Sequence, residues 1–244
     1  MRERKPYILK DLFKGDKSLF KEAFSNPESI IFYDMDGILA DTPKVVHKKF
    51  SLDNNLDAKP SEINSWDYLT KLAIVAGLDS DKIKHAEDDW YKAEILSQAQ
   101  NYLYINPVLE KTLKLFSPTR NFVLTSREPF LTDSTIDWIN LKYPKILTKN
   151  ILIRKDEKIK PTEFKANEIK SRALNAPWVI IIDDSTKYIK SIIDTGIDNL
   201  LAINIPLGRI KPDFTHPQLV VIKRFPDDIQ GMYPLLNSIN LVIH

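Results

Sequence analysis

The stretch Ile30-Ile31-Phe32-Tyr33, followed at once by Asp34-Met35-Asp36-Gly37, constrains the fold of this chain more than any other segment. A short run of apolar, β-branched and aromatic residues is typical of a strand buried on both faces of a parallel sheet. Two carboxylates follow where this strand ends, at the edge where open α/β sheets bind their ligands. Because residues two apart in an extended strand share a face, Asp34 and Asp36 can meet the same ligand.

Strand-like and helix-like segments alternate through the second half of the chain. Predicted strands lie at 121–125, 151–153, 178–182, 200–205 and 219–222, and predicted helices at 133–142, 162–174, 186–194 and 227–239. Strands that alternate with helices of about 10–15 residues are typical of a parallel sheet covered by helices on both faces. The sequence therefore predicts an α/β fold with a Rossmann-like, doubly wound parallel sheet.

The segment after Thr42 does not follow this alternation. Roughly 75 residues of mostly helical pattern precede the second core strand, which is far longer than an ordinary connection. Predicted helices lie there at 43–50, 66–76, 80–100 and 107–116. We therefore expect a core built from residues 1–42 and 117–244 and an inserted helical cap at 43–116. Residues 1–28 are expected to form one or two short amphipathic helices that brace the core.

Composition limits the class of protein and its partners. Of the 244 residues, 43% are hydrophobic, which is enough for a substantial core. The 35 basic and 33 acidic residues leave a net charge of +2, so charge gives no strong signal for nucleic acid or for a membrane partner. The chain has no cysteine, no apolar stretch of about 18–20 residues and no apolar block at its amino terminus. We expect a soluble, cytoplasmic protein.

Polar residues follow two further predicted strands. Thr125 and Ser126 can bind a phosphate oxygen together with the amides that follow them, although such residues also favour caps and turns. Asp183 and Asp184 follow the strand at 178–182, where an aspartate can equally serve as a helix N-cap. The predicted metal ligands are the four strand-end carboxylates, Asp34, Asp36, Asp183 and Asp184. So much negative charge requires a counterion, and ligands that are all oxygen indicate Mg²⁺.

In chain order, these elements resemble the motifs of the haloacid dehalogenase superfamily in its aspartate-nucleophile phosphatase form. The resemblance covers about residues 29–42 and 117–240, and Asp34-Met35-Asp36-Gly37-Ile38-Leu39-Ala40-Asp41-Thr42 carries its first motif. It implies that Asp34 is the nucleophile and Asp36 the general acid–base. It also implies that Thr125 and Ser126 bind the phosphoryl group, with Thr125 among the catalytic residues.

The resemblance further implies a lysine near the start of the helix that precedes the last motif. Lys165 is the first choice for a catalytic and phosphate-binding cation at that place. Lys158 and Lys160 lie close by in the sequence and remain open as alternatives. Any single lysine in a chain this rich in lysine is most often a solvated surface charge.

The resemblance implies a Mg²⁺-dependent phosphomonoester hydrolase that forms an aspartyl-phosphate. A helical insert in this position looks like the cap of deoxyribonucleotidases, phosphoglycolate phosphatases and sugar-phosphate mutases. The Asp-Met-Asp-Gly core and the late Asp-Asp pair are similar to the 5′(3′)-deoxyribonucleotidase and pyrimidine 5′-nucleotidase group. We therefore favour a small phosphorylated substrate, with nucleoside 5′-monophosphates first. Aromatic residues that could stack on a base, although helical spacing more often places them in a core, are Trp66, Tyr68, Trp90, Tyr91, Tyr102 and Tyr104.

Other functions remain open. One is a phosphatase for another small phosphometabolite, and a second is a polynucleotide 3′-phosphatase, which Ser126-Arg127-Glu128 suggests. A third, of another class, is a binding protein that kept the fold without catalysis. Dehalogenation is disfavoured, because it leaves no alkoxide that Asp36 would need to protonate.

Overall fold

The computed structural model describes residues 13–57, 67–91, 112–206 and 212–222. The described residues form one seven-stranded sheet. Its strands are β1 (Phe13–Lys14), β2 (Ile30–Tyr33), β3 (Asn121–Thr125), β4 (Ile151–Ile153), β5 (Val179–Asp183), β6 (Leu200–Asn204) and β7 (Leu219–Ile222). The α-helices are α1 (Lys17–Ser25), α2 (Thr42–Asp53), α3 (Tyr68–Val75), α4 (Ser80–Lys84), α5 (Thr132–Lys142), α6 (Pro161–Ala173) and α7 (Thr186–Ile193).

The strand order is β1-β7-β6-β5-β2-β3-β4. Strands β2 to β7 are parallel to one another, whereas β1, at one edge of the sheet, pairs antiparallel with β7. The chain leaves β2 for β3 on one side and later enters β5 on the other, so β2 lies at the topological switch point of the sheet. Open α/β sheets bind ligands at this point, beyond the carboxyl ends of the strands. The predicted doubly wound fold is confirmed.

The register brings the ends of three strands together. Tyr33 pairs with Val123 of β3 and with Ile182 of β5. The residue after Tyr33, Asp34, is therefore level with the end of β5 at Asp183. Asp34 continues the ladder, because its backbone N–H donates to the carbonyl oxygen of Ile182 at 2.9 Å.

Alternate residues of the strands pack on opposite faces of the sheet. Ile31 and Tyr33 belong to one buried cluster with Ile180 and Ile182, and Phe32 belongs to the other. A third cluster lies within α2, α3 and the segment after α4, and its buried members are Val46, Phe50, Tyr68, Leu69, Ala73 and Ala86. The helical segment thus has an apolar core of its own.

Two sequence predictions need correction. The predicted helix at 80–100 is interrupted, because α4 ends at Lys84 and a 3₁₀-helix, Ala86–Tyr91, follows. Tyr68 is not a free stacking surface, because it is buried in the third cluster with its ring centroid 5.5 Å from that of His47. The short strand β1 was not predicted, since two residues carry no periodic signal.

Several other predictions lie partly or wholly outside the described residues. They concern the segment before residue 13, the helix predicted at 227–239, the first half of the helix predicted at 107–116, and the side chains of Trp66, Trp90, Tyr91, Tyr102 and Tyr104. In the described part of the chain, no helix has the length and apolar character needed to cross a membrane.

Candidate active site

A tight loop follows β2 and shapes the candidate site. Two backbone hydrogen bonds close this loop. The N–H of Gly37 donates to the carbonyl oxygen of Ala40 at 2.7 Å, and the N–H of Ala40 donates to the carbonyl oxygen of Met35 at 2.8 Å. Gly37 has a φ of +84°, a backbone conformation that residues other than glycine rarely adopt. The loop turns the chain back at the end of the strand and leads directly into α2.

Lys165 is the lysine that the structure brings to the strand-end carboxylates. Its ammonium lies 2.8 Å from Asp34 Oδ1 and 2.6 Å from Asp183 Oδ2, and the residue is fully buried. Lys158 and Lys160 are exposed. The position is set by α6, whose inward face carries Phe164, Lys165, Ala166 and Ile169.

The charge state of Lys165 follows from its neighbours. Burial alone would lower its pKa, but the carboxylates of Asp183 and Asp34 more than offset this and raise the pKa above its ordinary value. Lys165 is therefore a permanent cation at neutral pH. Its ammonium also lies 4.5 Å from the centre of the Tyr188 ring, a cation–π contact.

For Asp34, in contrast to Lys165, the effect of burial on the pKa outweighs that of the neighbouring charges. Burial is the largest influence and raises the pKa of Asp34 to about 7, although the charge of Lys165 opposes the shift and that of Asp183 adds to it. A carboxylate removed from water in this way is a stronger nucleophile than a hydrated one, provided that a cation holds it ionised.

Three of the predicted metal ligands come together. One carboxylate oxygen each of Asp34, Asp183 and Asp184 lies within 4.8 Å of the other two, and all three residues are buried. The loop of Gly37 closes against this group, since a Cβ at Gly37 would lie 2.2 Å from Asp184 Oδ2. A cluster of three carboxylates fits a hard divalent cation such as Mg²⁺.

The N-cap alternative for the two aspartates does not hold. The N-cap of α7 is Ser185, whose hydroxyl accepts from the backbone N–H of Tyr188 at 3.4 Å. Asp183 Oδ1 accepts from the backbone N–H of Ser185 at 2.7 Å, which fixes the carboxylate while its other oxygen faces Lys165.

The carboxylate of Asp36 has hydrogen-bond partners of its own. It accepts from Arg127 Nε at 2.8 Å, from Arg127 Nη2 at 2.6 Å and from Thr42 Oγ1 at 2.5 Å. Burial alone would raise the pKa of Asp36, but the Arg127 guanidinium and these hydrogen bonds bring it below its ordinary value. A direct metal contact by Asp36 therefore stays a prediction.

Thr125 and Ser126 lie at the end of β3, next to β2. Thr125 Oγ1 accepts from the backbone N–H of Arg127 at 3.3 Å, so its own O–H can still donate to an anion. Ser126 Oγ donates to the Tyr188 hydroxyl at 3.4 Å. Sequence reasoning missed Tyr188 and gave Arg127 no place in the site. The position of Arg127 two residues beyond Thr125, at the end of a strand next to β2, was the available signal.

Comparisons with known proteins bear on the fold. The sequence matches no family model and no curated protein. Among solved structures, Protein Tyrosine Kinase A of Mycobacterium tuberculosis is similar with a TM-score of 0.55 at 12% identity, over 88% of this chain and 99% of that one. A haloacid dehalogenase-like family hydrolase from Streptococcus pneumoniae is similar with a TM-score of 0.49 at 17% identity, over 84% of this chain and 98% of that one. This chain therefore shares the fold of Protein Tyrosine Kinase A.

A haloacid dehalogenase superfamily hydrolase of subfamily IA from Geobacter sulfurreducens is also similar, with a TM-score of 0.47 at 10% identity, over 86% of this chain and 96% of that one. At such identities the likeness is one of fold. What the site can do depends on its own residues.

Proposed function

We propose that this protein is a Mg²⁺-dependent phosphomonoester hydrolase that acts through an aspartyl-phosphate on Asp34. One observation carries the proposal. A buried lysine cation joins Asp34 and Asp183 at the switch point of the sheet, and Asp184 completes a group of three buried carboxylates beside it. This arrangement offers a nucleophile, a cation for the phosphoryl group and a set of metal ligands in one place.

The charges explain why each part is needed. A phosphomonoester carries close to two negative charges at neutral pH and repels an anionic nucleophile. Lys165 offsets part of this repulsion. Mg²⁺, when held by Asp34, Asp183 and Asp184, would supply further positive charge to the phosphoryl oxygens. We expect Thr125 and Ser126, at the end of the neighbouring strand β3, to hold those oxygens.

The reaction then follows from the residues. Asp36 is ionised in the free protein, because its pKa lies below its ordinary value, so it must take up a proton when the negatively charged substrate binds. An oxygen of Asp34 then attacks phosphorus, the ester P–O bond breaks, and the leaving alkoxide takes that proton from Asp36. In the second half, Asp36 takes a proton from water while the water oxygen attacks phosphorus. The bond to Asp34 breaks, and inorganic phosphate leaves. Both aspartates return to their starting state.

Small phosphomonoesters are the proposed substrates, with nucleoside 5′-monophosphates first. Support for a small substrate comes from the burial of Asp34, Asp183 and Asp184, each no more than 5% exposed. The nucleotide preference itself still rests on the resemblance of the Asp-Met-Asp-Gly and Asp-Asp motifs to nucleotidases. Other small phosphorylated metabolites are the main alternative.

Phosphate release tests the proposal. The purified protein is assayed on nucleoside monophosphates, sugar phosphates and phosphorylated carboxylic acids, with Mg²⁺ and with EDTA. We expect release with Mg²⁺, its loss in EDTA and its return on adding Mg²⁺. Asp34→Asn should lower kcat by at least about 10³-fold with the fold intact, because an amide is a poor nucleophile. Release that persists in a folded Asp34→Asn variant would disprove the aspartyl-phosphate route.

A further inference from the structure

Among the described residues, Arg127 makes the most complete side-chain contact with Asp36. Two of its nitrogens, Nε and Nη2, donate to the two oxygens of the Asp36 carboxylate at 2.8 and 2.6 Å. Such a paired contact fixes the carboxylate plane as well as its charge, because the guanidinium is a rigid planar fork. The orientation of Asp36 is therefore set by where Arg127 is held.

Arg127 is itself anchored. Its side chain is 7% exposed, and its remaining terminal nitrogen, Nη1, donates to Thr135 Oγ1 on α5 at 3.2 Å. Thr135 is fully buried. The backbone N–H of Arg127 donates to Thr125 Oγ1, the hydroxyl at the end of β3. One residue thus connects a phosphate-binding candidate, helix α5 and Asp36.

We infer that Arg127 is the positioning residue that aims the Asp36 carboxylate at the leaving-group oxygen. The inference rests on the proposed function, in which Asp36 donates a proton to the leaving-group oxygen. Thr42 adds one donor from the start of α2 but cannot fix the carboxylate plane alone. Without the fork, the Asp36 side chain can rotate, and proton transfer loses its alignment.

A purely structural ion pair would have different consequences. Its loss would lower the stability of the protein and its activity on every substrate alike. A positioning residue for the general acid matters most when the leaving group is a strong base that must be protonated. Alkyl phosphates release an alkoxide and need the proton, whereas p-nitrophenyl phosphate releases a weakly basic phenolate and needs it far less.

The test compares kcat/KM of Arg127→Ala and Arg127→Lys on an alkyl phosphate and on p-nitrophenyl phosphate, both with Mg²⁺. This ratio reports the steps up to release of the leaving group, and it excludes the later hydrolysis at Asp34, which is the same for both substrates. We expect kcat/KM on the alkyl phosphate to fall about tenfold or more beyond the fall on the aryl phosphate. That is part of the roughly 10²–10⁴-fold that general acid–base catalysis supplies. Lysine should not rescue the loss, because it offers a point charge and no fork.

A milder variant keeps the test valid if Arg127→Ala folds poorly. Thr135→Val removes the anchor of Nη1 without changing charge, and it should give a smaller loss that again falls mainly on the alkyl phosphate. If Arg127→Ala folds, added guanidinium ion should restore part of its alkyl phosphate turnover and leave the wild type unchanged.

Arg154 provides the matched control. It is also a buried arginine that follows a parallel strand, and it pairs with Glu128 and donates to the carbonyls of Glu157 and Ile159. No hydrogen bond or ion pair is recorded between it and the site carboxylates among the described residues. Arg154→Lys should therefore affect both substrates equally.

The outcomes separate the two proposals. A wild type that releases phosphate from neither substrate overturns the proposed function, and the role of Arg127 with it. An active wild type whose Arg127 variants lose kcat/KM equally on the two substrates overturns the positioning role alone. Faster alkyl phosphate turnover in Arg127→Ala overturns it as well, because Arg127 would then restrain Asp36.

Discussion

Gly37 is restricted to glycine for two reasons, its backbone conformation and its closeness to the carboxylate of Asp184. Its φ is +84°, and an added Cβ would lie 2.2 Å from Asp184 Oδ2. Gly37→Ala must therefore displace Asp184 or distort the loop. We expect the variant to bind Mg²⁺ at least about tenfold more weakly and to lose about 1–3 kcal/mol of unfolding free energy. Calorimetric Mg²⁺ titration and urea unfolding measure the two effects.

Gly196 is the matched control for this prediction. Its φ of +71° imposes the same backbone strain, but a Cβ there would meet no atom of the described residues within 4 Å. Gly196→Ala should lose about 1 kcal/mol of unfolding free energy and keep the Mg²⁺ affinity of the wild type. Equal Mg²⁺ affinities in the two variants would show that Gly37 is not needed for the position of Asp184.

Asp34 should make the stability of the metal-free protein depend on pH. Its pKa is raised from 3.8 to about 7 by burial, so the folded protein holds a proton that the unfolded chain releases. The stabilisation is complete below about pH 4 and is lost as the pH rises to about 7. In EDTA, the unfolding free energy of the wild type should fall across this window relative to that of Asp34→Asn. Parallel pH curves for the two proteins would contradict the shifted pKa.

At the scale of elements, helices α2 and α3 share an apolar cluster that is separate from the two sheet clusters. Leu69 is fully buried in it. Leu69→Ala should cost about 2–5 kcal/mol within that cluster. Because the cluster is separate, hydrogen exchange should rise in residues 42–57 and 67–91 and change little in β2 and β5.

Ile181 is the comparison for Leu69. It is also fully buried, but it lies in the central strand β5. Ile181→Ala should raise exchange throughout the sheet and lower the global unfolding free energy. If Leu69→Ala raised exchange in the strands as much as Ile181→Ala, the helical segment would not be a separate unit.

At the scale of the whole molecule, the depth of the site predicts size discrimination. A phosphoryl group that reaches Asp34, Asp183 and Asp184 must enter a recess whose carboxylates are at most 5% exposed. Nucleoside 5′-monophosphates should therefore be hydrolysed with kcat/KM at least about 100-fold above that of 3′-phosphorylated DNA. Competition assays with both substrates measure the ratio. A preference for the oligonucleotide would favour the polynucleotide 3′-phosphatase alternative.

Much of the fold and part of the site could be predicted because they depend on local patterns. Apolar runs at 30–33 and 178–182 marked strands, and their alternation with helices implied a parallel sheet. Residues that follow parallel strands must meet at one edge of the sheet. The sequence alone therefore predicted that Asp34, Thr125 and Asp183 lie close together. Short or irregular elements such as β1 and the break after α4 carry no such pattern.

Which residues end the strands could therefore be inferred without the structure, because strand ends follow from the hydrophobicity of consecutive residues. Tertiary structure alone decided which side chains pair at that edge. Arg127 and Asp36 are 91 residues apart and meet only because β3 lies beside β2. The choice of Lys165 over Lys158 and Lys160 likewise required α6 to turn one lysine inward. Such pairings depend on packing between distant segments, which no local pattern encodes.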